Sequence, residues 1–220
     1  MLTVWGRANS INVQKVMWTI GELGLEHERI PTGGSFKGTD RPEYRAMNPG
    51  GLVPTIKDGE TILWESNAIV RYLASRYGGE PLWPLDPAKR ADADRWMDWS
   101  LSEVSPSLTP VFFATVRKPK AQHDAAAIAQ AAERLHPVFR RIDDVLGRSE
   151  FIAGPALTMG DIAIGAYVAR YVRMPIERPA LANVQRYMDV LSSRPAFAKH
   201  ILIPFGTCAE EWDANERKFG

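Results

Sequence analysis

Near the start of the chain the apolar residues change their spacing once. Leu2 to Trp5 is a short apolar run that reads as a buried strand. From Asn12 onward, Val13, Val16, Met17, Ile20 and Leu23 recur at helical spacing, and Gly24 follows as a natural stop. "EHERI" then reads as a second strand. The helix between the two strands makes a compact β-α-β unit, so the strands are predicted to be parallel. "PTGGSFKGTDRPEY" is a glycine-rich loop, and Pro42 to Met47 is predicted to be a short helix. "VPTIK" and "TILW" read as two short strands joined at Asp58-Gly59, a strong hairpin signal. Ser66 follows directly, at the place of an N-cap. Ile69, Val70, Leu73 and Tyr77 form the apolar stripe of the helix behind it.

After the Gly/Pro-punctuated stretch "GGEPLWPLDP" the strand pattern stops. Four helical segments are predicted. They are Ala88 to about Arg117, bent near Pro106 and Pro110; Ala125 to Leu146, with Pro137 inside it; "FIAGPALTMGDIAIGAYVARY"; and Leu181 to Leu191. In the third, Thr158 and Asp161 match a capping box, and Gly165, Ala166 and Ala169 are small enough for tight helix contact. The pattern divides the chain into an α/β domain (1–78), a linker (79–87) and an all-α domain (88–220).

Composition narrows the chemistry. With 220 residues, 45% of them apolar and 24% charged, the chain has the makings of a sizeable core. A net charge of +1 argues against a general nucleic-acid or anionic-membrane surface. No apolar run approaches the roughly 20 residues of a membrane span. Met1 leads into "LTVWG" without a basic leader, and the one cysteine, Cys208, rules out an internal disulfide, so a cytoplasmic location is expected. No Cys/His metal spacing, P-loop or GxGxxG is present, and His27, His123, His136 and His200 are scattered, so no metal site is expected. Cys208 reads as structural or incidental, and the Trp96/Trp99 pair as core or interface.

Four segments, taken in order, resemble the cytosolic glutathione S-transferases: "GRANSINVQKV", "NPGGLVPTI", "LWESNAIVRYL" and "FIAGPALTMGDIAI". The likeness covers nearly the whole chain and is strongest to a bacterial, theta-like branch with a serine-type site. It implies a thioredoxin-like α/β N-terminal domain followed by an all-α domain, which the hydrophobic pattern reaches independently. It also implies a transferase that uses glutathione as co-substrate, acts on a small electrophile in detoxification, and forms a homodimer.

Carried over residue by residue, the resemblance implies that Ser66 and the free N–H groups of its helix hold the γ-glutamyl carboxylate, with Glu65 pairing the ammonium. It implies a cis Val53–Pro54 bond, with Val53 pairing strand-like to the cysteinyl unit. It implies that Ser10, Asn12 or both donate hydrogen bonds to the glutathione sulfur. A free thiol titrates near about 8.5, so donors and a helix N-terminus are needed to hold the thiolate at neutral pH. On the pattern alone, the better reading is that Ser10 or Asn12 simply caps the first helix, and that Ser66 is a cap as well. A cap and a thiolate donor require the same location. No tyrosine or cysteine stands in this first turn, which disfavours a tyrosine-type site and a mixed-disulfide mechanism. Arg7, Phe113 and Arg117 are candidates for the second-substrate pocket, and Arg7 reads equally as a solvated surface residue. Phe36 and Lys37 are candidates to close over glutathione. Two alternatives remain open at this point: a non-catalytic interaction or stress-response module with the same fold, and a glutathione-dependent isomerase.

Overall fold

A computed structural model describes residues 1–219. β1 (Leu2–Trp5), α1 (Ile11–Glu22) and β2 (His27–Ile30) form the predicted βαβ unit, with the two strands parallel and Leu2 opposite His27. α2 (Pro42–Met47) follows the glycine-rich loop. β3 (Thr55–Asp58) and β4 (Thr61–Trp64) form the antiparallel hairpin, and β3 pairs antiparallel with β1, giving the order β2-β1-β3-β4. α3 (Ser66–Leu73) returns from β4 and ends in a wide turn over 74–78. Leu2, Val4 and Ile56 from the sheet meet Val13, Val16, Met17 and Ile20 of α1 and Ile69 and Leu73 of α3. Tyr77 departs from the predicted stripe. It lies in the wide turn, 41% exposed, where its hydroxyl donates to Asp58 Oδ2 at 2.6 Å.

The second half is helical: α4 (Pro87–Trp99), α5 (Ser105–Ala114), α6 (Ala125–Leu146), α7 (Met159–Arg173), α8 (Ala182–Ser192), α9 (Pro195–His200) and α10 (Ala209–Phe219). The first long helix predicted here is two helices joined by a wide turn over 100–104. Pro106 and Pro110 lack amide donors, so the regular ladder cannot run through them unbroken. This segment also ends at Ala114. Thr115 leaves the helical region (φ −106°, ψ −82°) and its hydroxyl donates back to the Val111 carbonyl at 2.8 Å. Arg117 therefore sits in the turn after α5 rather than on the helix. Two helices, α9 and α10, go beyond the four the pattern predicts. The α10 segment offers little periodic apolar signal, yet it buries Trp212 and Glu216.

α7 is the axis of this half, buried from Met159 to Tyr171. Its start is the predicted capping box: Asp161 Oδ2 accepts from the Thr158 amide at 2.8 Å and from its hydroxyl at 3.0 Å. The other oxygen accepts from the Ile152 amide and the Tyr187 hydroxyl, both at 2.8 Å. Burial nevertheless pushes the Asp161 carboxyl up. Gly165 lets Trp18 of α1 approach: a Cβ there would lie 3.1 Å from the indole and 2.7 Å from Leu191. Glu22 adds a second tie between the halves, accepting from Trp18 Nε1 at 2.8 Å and from Arg194 at 2.6 and 2.9 Å. Together they describe a thioredoxin-like α/β domain with a helical domain packed on α1 and α3.

Candidate active site

The loop before β3 is held by its own side chains. Asn48 Nδ2 donates to the Leu52 carbonyl at 2.8 Å and to Thr55 Oγ1 at 3.1 Å, and its Oδ1 accepts from the Gly50 amide at 3.0 Å. The Tyr44 hydroxyl donates to the same Leu52 carbonyl at 2.7 Å. Gly51 takes φ +60°, a conformation that favours glycine. The result presents Val53 and a cis Val53–Pro54 bond at the edge of a small hollow. That hollow is lined by Asn12, Asn48, Leu52, Val53, Pro54, Trp64, Glu65 and Ser66, among others.

The start of α3 differs from the sequence expectation by one position. Glu65, not Ser66, is the N-cap; it is exposed and held at φ +70°, ψ 110°. A non-glycine residue there costs about 1–3 kcal/mol of strain, and such residues cluster at functional sites. Ser66 is the first helical residue and is 3% exposed. Its hydroxyl donates to Asn12 Oδ1 at 3.1 Å instead of capping its own helix. This bond joins the first turns of α1 and α3 across the domain.

Ser10 is the N-cap of α1 by backbone geometry, and its carbonyl accepts from the Gln14 amide at 2.8 Å. Its side chain makes no capping hydrogen bond, although the residue is only 8% exposed. Ser10 and Asn12 border a second cavity of about 220 Å³, which Arg7, Phe113 and Arg117 also line. All three predicted second-substrate residues thus come together there. Asn12 is the one described residue common to both linings. Arg7 is not a free surface cation: its Nε lies 2.8 Å from Glu216 Oε1, with side-chain exposures of 19% and 3%. Phe36 and Lys37 line neither hollow. Their loop is anchored to α10, with the Ser35 amide donating to Glu216 Oε2 at 2.9 Å.

Several residues at the second cavity were not singled out by the sequence pattern: Phe112, Tyr167, Arg170 and Trp212. One signal did exist for Arg170, the one charged residue in the helical run from Ile162 to Val172. Lys15 lies close by, fully buried, with Nζ 3.1 Å from Asn67 Oδ1 and 5.3 Å from the Tyr167 ring centroid. Burial brings its amine down to about 7; Glu65 opposes that shift and Arg170 adds to it. Asn67 in turn donates to the Met97 carbonyl at 2.7 Å, so this network lies at the junction of α1, α3, α4 and α7. A larger hollow, about 750 Å³ between α6 and residues 175–179, contains none of the predicted residues. Among the described residues, no three His, Cys, Asp or Glu side chains are grouped to hold a metal ion, and no helix is long and apolar enough to cross a membrane.

Residues 6–81 match the family model for the glutathione S-transferase N-terminal domain, and residues 125–198 match the one for its C-terminal domain. The chain is 40% identical over 206 residues to glutathione S-transferase GstB of Escherichia coli strain K12, covering 93% of this chain and 99% of that one. It is 30% identical over 208 residues to glutathione S-transferase 3 of Zea mays, covering 91% and 93%. The crystal structure of the theta class glutathione S-transferase from Xanthomonas axonopodis pv. citri, with glutathione bound, superposes with a TM-score of 0.89 at 42% identity, covering 93% and 99%. With both domain models matched in order, and relatives this similar over nearly its whole length, the chain belongs to the glutathione S-transferase family.

Proposed function

We propose that this enzyme binds glutathione in the hollow between Val53 and Ser66 and stabilises its thiolate for attack on an electrophilic, halogenated or acidic, small molecule. The Ser66 amide and the next free N–H groups of α3 hold the γ-glutamyl carboxylate, Glu65 pairs with the ammonium, and Val53, before cis Pro54, aligns the cysteinyl backbone. The sulfur then lies toward Ser10 and Asn12, at the positive end of α1. Arg7, Phe113 and Arg117 border the space for the second substrate. Glutathione is the nucleophile, so the protein positions it and shifts its ionisation.

The observation that carries this reading is the pairing of Ser66 with Asn12 beside an uncommitted Ser10 hydroxyl. The Asn12 carbonyl oxygen is taken by Ser66, which leaves the Asn12 amide N–H₂ and the Ser10 hydroxyl as donors. A hydrogen bond to a charged group contributes about 1.5–3 kcal/mol, so losing one donor lowers the thiolate population by about one to two orders of magnitude. Ultraviolet titration of bound glutathione in Ser10→Ala, Asn12→Ala and the double variant tests this. The thiol pKa should rise in each, and most in the double variant; an unchanged pKa in all three sinks the mechanism. Retention on immobilised glutathione without turnover of any electrophile would instead favour the non-catalytic reading.

A further inference from the structure

The cavity beside Ser10 and Asn12 is cationic to a degree that conjugation of a neutral electrophile does not require. Arg7, Arg117 and Arg170 all line it, and no acidic side chain does. Glu216, the carboxylate beside Arg7, is already committed, with one oxygen on Arg7 and the other on the Ser35 amide. Among the described residues, neither Arg117 nor Arg170 has a carboxylate partner.

Arg170 is held with particular care. It is 8% exposed, and its Nη2 donates to the Asn9 carbonyl at 2.7 Å. Its guanidinium lies 4.4 Å from the Phe112 ring centroid and 5.9 Å from that of Trp212. Its Nε is buried without a partner. Arg117 packs against the same Trp212 ring, 4.5 Å from its centroid, and 5.6 Å from that of Phe113. Aromatic faces orient a guanidinium and leave its N–H edge for an anion. A buried cation with an unused donor is costly until a counter-charge arrives. Burial and the neighbouring arginines bring Arg170 down to about 9, so it still carries its charge at neutral pH. Arg173, the next arginine along α7, is committed elsewhere, donating to the carbonyls of Ile201, Leu202 and Ile203.

We infer that Arg170 and Arg117 form an anion clamp that selects electrophiles bearing a carboxylate and sets their reactive carbon against the glutathione sulfur. The inference rests on the conjugation reading above and deepens it by assigning the class of second substrate. A planar carboxylate suits the two N–H edges. The reaction balances as a substitution. The thiolate forms the C–S bond, the carbon–halogen bond breaks with its electron pair on the halide, and the carboxylate stays ionised throughout.

The test uses a matched pair, 4-chloro-3-nitrobenzoate and 4-chloro-3-nitrobenzamide, with each rate normalised to its spontaneous reaction with free glutathione. The wild-type enzyme should prefer the acid by at least tenfold in kcat/KM. Arg117→Gln and Arg170→Gln should erase most of that preference, with the loss falling on the KM for the acid rather than on the KM for glutathione. Equal normalised rates in the wild type, or equal losses on both substrates in the variants, overturn the clamp. If Arg170→Gln does not fold, Arg117→Gln, on a partly exposed turn, decides the matter. Calorimetric binding of the unreactive pair 3-nitrobenzoate and 3-nitrobenzamide, which lack the leaving group, to glutathione-saturated protein needs no turnover. Tighter binding of the acid supports the clamp and equal binding overturns it, whereas failure of glutathione itself to bind sinks the conjugation reading instead.

Discussion

The two halves of the proposed site are built on different principles. The glutathione half draws on short, local pieces: a loop stapled by Asn48 and Tyr44, a cis proline, and the first turn of α3. The groups proposed to bind there include backbone N–H and C=O, which any side chain leaves in place. The electrophile half is assembled from side chains on distant segments: Arg7 after β1, Phe113 and Arg117 around the end of α5, Arg170 on α7 and Trp212 on α10. Its internal bonds span the chain, 161 residues from Arg170 to Asn9 and 181 from Ser35 to Glu216. A half built on backbone suits one invariant co-substrate. A half built on side chains is free to set which second substrate enters.

That contrast can be broken most severely at Trp212, which is 2% exposed and stacks edge-on with Phe112 at 5.5 Å. Trp212→Ala should cost about 3–5 kcal/mol in urea unfolding and raise the KM for the electrophile far more than that for glutathione. Comparable rises in both would show that the halves are not separable.

Lys15 sits where they meet, and Lys15→Met probes the junction through pH. Its folded amine titrates near about 7, against 10.5 for the ordinary value. Below the folded value both states carry the charge, so the whole cost of burying it stands. Between the two values the unfolded chain holds the proton and the folded chain does not, so stability climbs with pH across that window. The variant should therefore gain stability over wild type, on the order of a few kcal/mol below pH 7 once the lost Asn67 bond is offset, with the gain vanishing near pH 10. Urea midpoints at pH 6 and pH 9.5 check this; a pH-independent difference would mean the amine is not the cause.

Ser66→Ala removes the bond to Asn12 and leaves the helix-start amides in place, so it should weaken glutathione binding by about 0.5–1.5 kcal/mol, up to roughly tenfold in Kd by calorimetry. The acid-to-amide preference should hold, because the electrophile wall is untouched. The smallest effect belongs to Phe113, which is 56% exposed at the cavity rim. Phe113→Ala should change stability by less than about 0.5 kcal/mol and raise the electrophile KM by a few fold. A large loss of stability there would mean the rim is part of the core.

Legibility in the sequence follows the same division. The βαβ unit, the hairpin, α3 and the Thr158–Asp161 box could be read because each depends on neighbours a few residues away. So could the loop that ends in Val53–Pro54 and the candidates Ser10, Asn12, Glu65 and Ser66. The errors lay at the edges. Ser66 reads as an N-cap, but Glu65 takes that position at positive φ, so Ser66 is turned to bond with Asn12, 54 residues away. Arg117 reads as helical, but Thr115 ends the helix first.

By itself the sequence determined the four strands, the helices of the first half and most of those in the second, the two-part architecture, and the short motifs from which the glutathione cradle is proposed. Hydrophobic period, turn chemistry and helix starts are local, and their physics is written within one segment. Only the tertiary structure decided that Arg170 turns inward beside Arg117, that Glu216 is spent on Arg7 and Ser35, and that α10 supplies a wall. Those facts depend on long-range packing, which places charges from separate segments in one cavity, and no local pattern encodes that distance.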